Sequence, residues 1–537
     1  MVVMDDLGYH DVGYHDPAFP TPNIDLMVSE GVELSSYYTS PICTPARSHL
    51  MTGRYNYRTG MQDSLLYMTE PRGVPLEEEF IGEKLRDAGY STALVGKWHL
   101  GMHMAAYTPN QRGFDRYYGM LPSHGSHFTH ESWSPVPFVA REGAPERIFR
   151  GVNILEDGQL SDDNYDLIHT TDLYTTKAAE YIEAMSMTGD PWFLDLSYQA
   201  IHDPIEEDEI WYTGNSCENI GEDDDDINPE VDLDNRKIVC GMMAHVDHSL
   251  GELRLLLTDL GLWDNTVLLF MSDNGGDWGF GARNYPFRGE KQMYWEGGVH
   301  VPAFVSGGYL TSALESGGVE PYAYSHLTHV TDMHATALGL AGVTSEAGLL
   351  DGVDFWDSVV THGAAARDSV VINVNSPWFG SSACVRKGNF KLMNHPEPVQ
   401  EAIVGLVRDE LIDEGLTVST DVLSNLTAEA LVTLGLSEPD MYLIDLEANP
   451  REDTSGTCAQ VEACSNLYGN PDYADIQGEL EAILETARQE SVPTTFLWAD
   501  DGPLGDPANF GGWLPWRDDE GAPLALYFGG TSIPNAI

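Results

Sequence analysis

Several short stretches of this 537-residue chain carry side chains that can make or break bonds. Asp5-Asp6 and Asp273-Asn274 offer carboxylate and amide oxygens, donors that suit a hard cation such as Ca²⁺ or Mg²⁺ rather than zinc. Taken singly, such pairs ordinarily serve as turns or helix caps. Cys43 stands in Pro41-Ile-Cys-Thr-Pro-Ala-Arg-Ser-His-Leu-Met-Thr-Gly-Arg54, where on its own it reads as a cysteine buried beside a proline turn. Gly96-Lys-Trp-His-Leu-Gly101 sets Lys97 and His99 two positions apart, so in an extended chain both face the same way. His202 lies in Gln199-Ala-Ile-His-Asp-Pro204, and Lys291 in Arg288-Gly-Glu-Lys-Gln-Met-Tyr-Trp-Glu-Gly-Gly298. Such groups can move protons, although a lone histidine or lysine in a loop is normally a surface residue.

The elements that must position them alternate. Thr92–Val95 is a strand candidate after a helix over Glu77–Ala88, and Trp192–Ser197 follows a helix over Leu173–Met185. Thr266–Met271 follows a long helix over Asn235–Leu260, and Pro302–Ser306 precedes another over His329–Ala341. Apolar strands alternating with helices predict an α/β fold with a large, mostly parallel sheet flanked by helices. In such sheets the active site lies beyond the carboxyl ends of the strands. Asp5-Asp6, His202 and Asp273-Asn274 all fall at predicted strand ends. From about residue 366 the texture changes: Ser369–Asn373, Asn389–Met393 and Met441–Asp445 look like antiparallel strands, with an acidic insertion over 397–438 and a helix over Ile476–Glu490. The expected division is a catalytic domain over 1–365 and a smaller α+β domain over 366–537.

Composition narrows the function classes. With 27 Lys+Arg against 85 Asp+Glu, the formal charge of −58 argues against nucleic-acid binding through a basic surface and suits a salty medium. No stretch approaches the roughly 18 uninterrupted apolar residues of a membrane span. Cys217 and Cys240 flank the acidic run Glu222–Asp226, and Cys458 and Cys464 lie close together. Either pair could be a disulfide, which would imply an oxidising compartment, or free thiols. The opening Met1-Val-Val-Met-Asp-Asp6 reads as the last part of a buried strand, so upstream sequence, with a signal peptide, is expected to be missing. The sequon Asn425-Leu-Thr427 is compatible with export.

Cys43-x-Pro45-x-Arg47 followed by Leu50-x-Thr-Gly-Arg54 resembles the signature of type I sulfatases, in which the cysteine is converted to formylglycine. The resemblance implies an alkaline-phosphatase-like fold and hydrolysis of sulfate esters. The formylglycine aldehyde hydrates to a diol; one hydroxyl attacks sulfur and the other expels sulfate by returning to the aldehyde. Asp5, Asp6, Asp273 and Asn274, with the modified Cys43, match the family's calcium site, for which Mg²⁺ is the other candidate. Arg47 and Lys97 would stabilise the nucleophile or a sulfate oxygen, and His99 would take the proton that starts sulfate elimination. His202, with Lys291, would be the acid for the leaving alcohol, and an imidazolium is expected beside a dianionic intermediate. A maturation enzyme that makes formylglycine is an implied partner. Ala88–Lys97, Arg112–Asp115, Gly261–Thr266, Arg386–Asn389, Ser491–Thr495 and Gly512–Trp516 resemble the arylsulfatase B branch, which includes N-acetylgalactosamine-4-sulfatase. A sulfated polysaccharide or aryl sulfate is therefore the expected substrate, with galactosamine 4-sulfate favoured, in a secreted, periplasmic or lysosome-like compartment.

Competing readings are a phosphate or phosphonate ester hydrolase of the same superfold, a non-catalytic protein that binds sulfated glycans, and a structural matrix protein, which would not require the Asp/Asn cluster. His124, His127 and His130, spaced by three, could suggest a metal site, but Gly125 and Ser126 break the helix that would align them, and a loop lining the cleft is expected. The acidic run is expected to be a solvated loop.

Overall fold

The computed structural model describes residues 1–135, 148–161, 167–213, 217, 220, 233–344, 348–375, 382–394, 441–454, 465–494, 514–517, 527–528 and 531–532. A ten-stranded sheet forms the main layer. Its middle is parallel: Leu268–Ser272, Val2–Met4, Trp192–Ser197, Ser91–Lys97 and Arg116–Met120 run side by side in that order. The margins are mixed, because Ala303–Ser306 and Ile154–Glu156 join antiparallel. A helix over Gly308–Gly317, absent from the sequence expectation, follows Ala303–Ser306.

Both faces of the sheet are buried, which is why its strands read as unbroken apolar runs. Successive residues nevertheless point to opposite sides. Val2, Met4, Ala93, Val95, Leu194, Leu196 and Phe270 pack with the helices Thr170–Ser186 and Leu233–Asp259. Val3, Leu269 and Met271 share the opposite core with residues of Cys43–Thr52 and Val330–Leu340. The long helix turns Val239, Met242, Met243, Val246, Leu250, Leu253 and Leu257 inward at three- and four-residue steps, the stripe of an amphipathic helix. Cys217 and Cys240 form a disulfide there, with Cα atoms 5.7 Å apart. Cys458, Cys464, the sequon, the 397–438 insertion and the acidic run lie outside the described residues.

A second, four-stranded antiparallel sheet is built from Ser369–Val374, Ala383–Lys387, Phe390–Asn394 and Met441–Asp445. One face takes Leu480, Leu484 and Ala487 of the helix Ala474–Glu490. The other takes Tyr38, Tyr294, Trp295 and Val299 from the segments beside the candidate site. Trp516 packs instead with Trp98 and Leu100, so the 514–517 stretch returns to the large sheet. Among the described residues no helix is long and apolar enough to cross a membrane.

Candidate active site

The parallel strands all deliver their carboxyl ends to one edge of the sheet. Asp5 and Asp6 leave Val2–Met4, and Asp273 and Asn274 leave the neighbouring Leu268–Ser272. Lys97 ends Ser91–Lys97, and His202 follows Trp192–Ser197. Gly96 is required where these last two strands meet: its φ is +110°, and a Cβ would lie 1.8 Å from the Ser197 carbonyl oxygen.

Cys43 opens the helix Cys43–Thr52, every residue of which is buried. Pro45 is tolerated because the first-turn N–H groups have no intrahelical partner. Arg47, one turn on, shares the face of Cys43. The Cys43 thiol lies 3.8 Å from Asp5 Oδ1. Arg47 Nε donates to Asp273 Oδ2 at 2.9 Å, and Lys97 Nζ to Asp5 Oδ2 at 2.6 Å. Lys291 Nζ donates to Asp6 Oδ2 at 2.6 Å and to His202 Nε2 at 3.1 Å. Asn274 Nδ2 donates to Asp6 Oδ1 at 2.7 Å. All of the predicted site residues are thus drawn into one buried cluster, except that His99 joins it differently from expectation. The strand ends at Lys97 and the chain turns left-handed at His99 (φ +58°), so the extended-chain argument for a shared direction fails. His99 Nε2 is held by the Leu66 carbonyl at 2.9 Å, and its buried Nδ1 has no partner among the described residues.

The sulfatase family matches residues 1–343. This chain belongs to the sulfatase family. It is 33% identical to arylsulfatase J of Mus musculus over 376 residues, covering 70% of this chain and 57% of that protein. It is 29% identical to N-acetylgalactosamine-6-sulfatase of Canis lupus familiaris over 370 residues, covering 66% of this chain and 64% of the relative. The chain therefore spans less than two thirds of the length of these relatives. The crystal structure of Ps i-CgsB in complex with k-i-k-neocarrahexaose shares the fold, with a TM-score of 0.69 and 23% identity over 93% of this chain and 94% of that one.

The ionic groups of the cluster balance: Asp5, Asp6 and Asp273 face Arg47, Lys97 and Lys291. Burial opposes ionisation of Asp6, but Lys291, His202 and Lys97 together overcome it and hold the carboxyl well below the usual range. Burial, with the charge of Asp5, pushes Asp273 up to about 6 against the pull of Arg47 and Lys97. The Cys43 thiol is pushed up to about 12 by burial, so unmodified it is a neutral thiol and not a thiolate. Burial and Lys291 lower His202 to about 4, and burial and Lys97 lower His99 well below its ordinary value. Both rings therefore favour the neutral form in the free site, because two buried ammonium groups lie close; the imidazolium expected beside a dianionic intermediate belongs to the bound state.

The donor set fits a hard divalent cation. Asn274 Oδ1 is buried without a partner among the described residues, while its amide nitrogen is anchored. Ligand atoms of Asp5, Asp6, Cys43 and His202 lie within 4.8 Å of one another.

Sequence reasoning did not single out Asp203, whose carbonyl oxygen lies 2.7 Å from His202 Nδ1. His124 lies in the segment expected to be a loop lining the cleft, and its ring stacks on His202 with centroids 6.2 Å apart. That segment lies beyond the carboxyl end of Arg116–Met120. The three-histidine metal pattern is not realised: His127 bonds Thr170 Oγ1 at 2.6 Å, and His130 bonds the Ile168 carbonyl at 2.9 Å. Backbone strain also marks the site, since Asp6 and His99 have positive φ, as does Gln292 beside Lys291.

Proposed function

We propose that this chain hydrolyses sulfate esters of a sulfated carbohydrate, with N-acetylgalactosamine 4-sulfate favoured, and also of aryl sulfates. The observation that carries the reading is a family-signature cysteine, buried at a helix start, inside a balanced cluster of three carboxylates and three fixed cations. Asp5, Asp6, Asp273, Asn274 and the residue-43 oxygen would hold Ca²⁺, or Mg²⁺ in its place. When present, formylglycine at position 43 supplies the attacking hydroxyl and the exit for sulfate, and the cation supplies charge to a sulfate oxygen. A divalent ion added to the balanced cluster leaves an excess of positive charge, which complements an anionic ester.

The remaining work falls to this chain's own groups. Arg47, fixed between Asp273 and the Lys97 carbonyl, orients the cluster. Lys97, held by Asp5, would stabilise the nucleophile and a sulfate oxygen. Neutral His99, with its proton on the nitrogen that meets Leu66, keeps the Nδ1 lone pair free to accept a proton. Lys291 is the protonated member of the Lys291–His202 pair, so the proton for the leaving oxygen comes from Lys291 directly or through His202. Residues 1–365 would form the catalytic domain and 366–537 the smaller one. The Cys217–Cys240 disulfide supports an exported, oxidising compartment, and a formylglycine-generating enzyme would mature the chain.

The test is peptide mass analysis at Cys43 together with turnover of 4-nitrophenyl sulfate and 4-nitrophenyl phosphate side by side. Formylglycine mass, preference for sulfate and loss of turnover in Cys43→Ser are expected. Sulfate release by Cys43→Ser at the wild-type rate overturns the mechanism, and preference for phosphate favours the phosphoesterase reading.

A further inference from the structure

From His202, the proposed acid for the leaving alcohol, rings continue toward the surface. His124 stacks on His202, and the Trp133 ring meets His124 edge-on with centroids 5.0 Å apart. Arg150 Cζ lies 5.8 Å from the centre of the Trp133 ring. Trp133 and Arg150 are directly opposite each other in the antiparallel pair Glu131–Pro135/Ile148–Val152. Because side chains alternate along a strand, this pair has two distinct faces. Ser132 and Phe149 point inward and are buried, and Ser132 is tied to Asn153 and to the His124 carbonyl. Glu131, Arg150 and Val152 are exposed on the other face, with Trp133 half-buried among them. An indole next to a guanidinium matches a sugar ring that carries an anion: the apolar C–H face of the sugar lies on the ring, and the guanidinium pairs with carboxylate or sulfate. Among the described residues Arg150 makes no ion pair. In a chain with only 27 basic residues, long-range attraction for a polyanion is lacking, so a local cation is needed to hold one.

We propose that the outer face of this hairpin is a subsite for an anionic sugar next to the reacting unit, with Trp133 as platform and Arg150 as anion contact. The proposal rests on the sulfatase reading above and deepens it by naming a flanking anionic sugar as part of the substrate. His124 forms the floor between the subsite and the reacting centre.

The experiment compares a chondroitin 4-sulfate tetrasaccharide with N-acetylgalactosamine 4-sulfate, which shares the reacting unit and lacks neighbours. The full mature chain is used as wild type, Trp133→Ala, Arg150→Gln and Arg150→Lys. The ratio of kcat/KM, tetrasaccharide over monosaccharide, should fall about tenfold in Trp133→Ala and in Arg150→Gln, through KM and not kcat. Arg150→Lys should recover part of the loss. A ratio within about twofold of wild type in both variants, or a parallel fall in kcat on both probes, overturns the subsite. Wild-type protein that releases sulfate from 4-nitrophenyl sulfate but neither binds nor cleaves the tetrasaccharide also overturns it. If no sulfate ester is cleaved at all, the sulfatase reading fails separately; calorimetric binding of the tetrasaccharide, weaker in Arg150→Gln or unchanged, then decides the subsite.

Discussion

Lys391 joins the two sheets by charge, and Lys391→Met tests that joint. Its ammonium is fully buried and donates to Glu296 Oε1 at 2.9 Å and to Glu452 Oε1 at 3.0 Å. Methionine keeps the apolar stem and removes the positive charge from between two buried carboxylates. Breaking such a pair from one side costs about 3–5 kcal/mol. The neighbours decide where the loss falls. Glu296 keeps His300 Nδ1 at 3.0 Å and the Tyr38 hydroxyl, which Arg386 supports. Glu452 keeps the Glu296 N–H at 2.5 Å, so it bears most of the loss. Burial, opposed by Lys391 and reinforced by the charge of Glu296, already raises the Glu452 carboxyl to about 7. Without Lys391 it rises further. A carboxyl raised in the folded state costs stability as pH rises from its unfolded value through its folded one. The deficit of Lys391→Met relative to wild type is therefore smallest below about pH 6, where native Glu452 is protonated in both proteins, and grows as pH passes about 7. Urea unfolding followed by tryptophan fluorescence reads the interface, because buried Trp295 packs against Tyr442 with ring centroids 5.2 Å apart. At about pH 8.5 the midpoint should fall by the equivalent of about 3–5 kcal/mol at unchanged slope, and by clearly less at about pH 5.5. Adding Glu452→Gln should remove the pH-dependent part. Equal midpoints at the higher pH, or the same deficit at both, would refute this account of the joint.

Asp273→Ala should abolish turnover and weaken calcium binding measured by calorimetry, since it removes a proposed ligand and the partner of Arg47; unchanged affinity would remove Asp273 from the ligand set. Non-reducing peptide mapping should recover Cys217 and Cys240 in one linked fragment, and free thiols in protein from its natural compartment would undo the argument for export. With a formal charge of −58, kcat/KM for a sulfated polymer should rise from low salt toward about 0.5 M and change little for an aryl sulfate, because screening removes surface repulsion before it reaches the buried Arg47, Lys97 and Lys291. A monotonic fall for the polymer would show that a local basic surface governs the encounter.

Much of the fold was legible because apolar strands buried on both faces leave an unmistakable local mark. Trp192–Ser197 and Met441–Asp445 stand where their residue types place them. The helix Gly308–Gly317 was missed: small and polar residues dilute its apolar stripe, and packing supplies what propensity lacks. The antiparallel entry of Ala303–Ser306 was equally invisible, since a strand carries no local record of its direction. At the site, Cys43, Asp5, Asp6, Lys97, His202, Asp273, Asn274 and Lys291 were legible through the resemblance of their motifs to the sulfatase signature, and the fold brings them into one buried cluster. By itself the sequence determined which groups are available and that a parallel sheet would gather them. Only the tertiary structure decided their protonation, pairing and direction. The left-handed turn at His99, neutral histidines beside buried ammonium groups, and the Lys391 joint all depend on residues far apart in the chain. Burial and Coulomb energies are set by distance in space, and a linear sequence does not contain that distance.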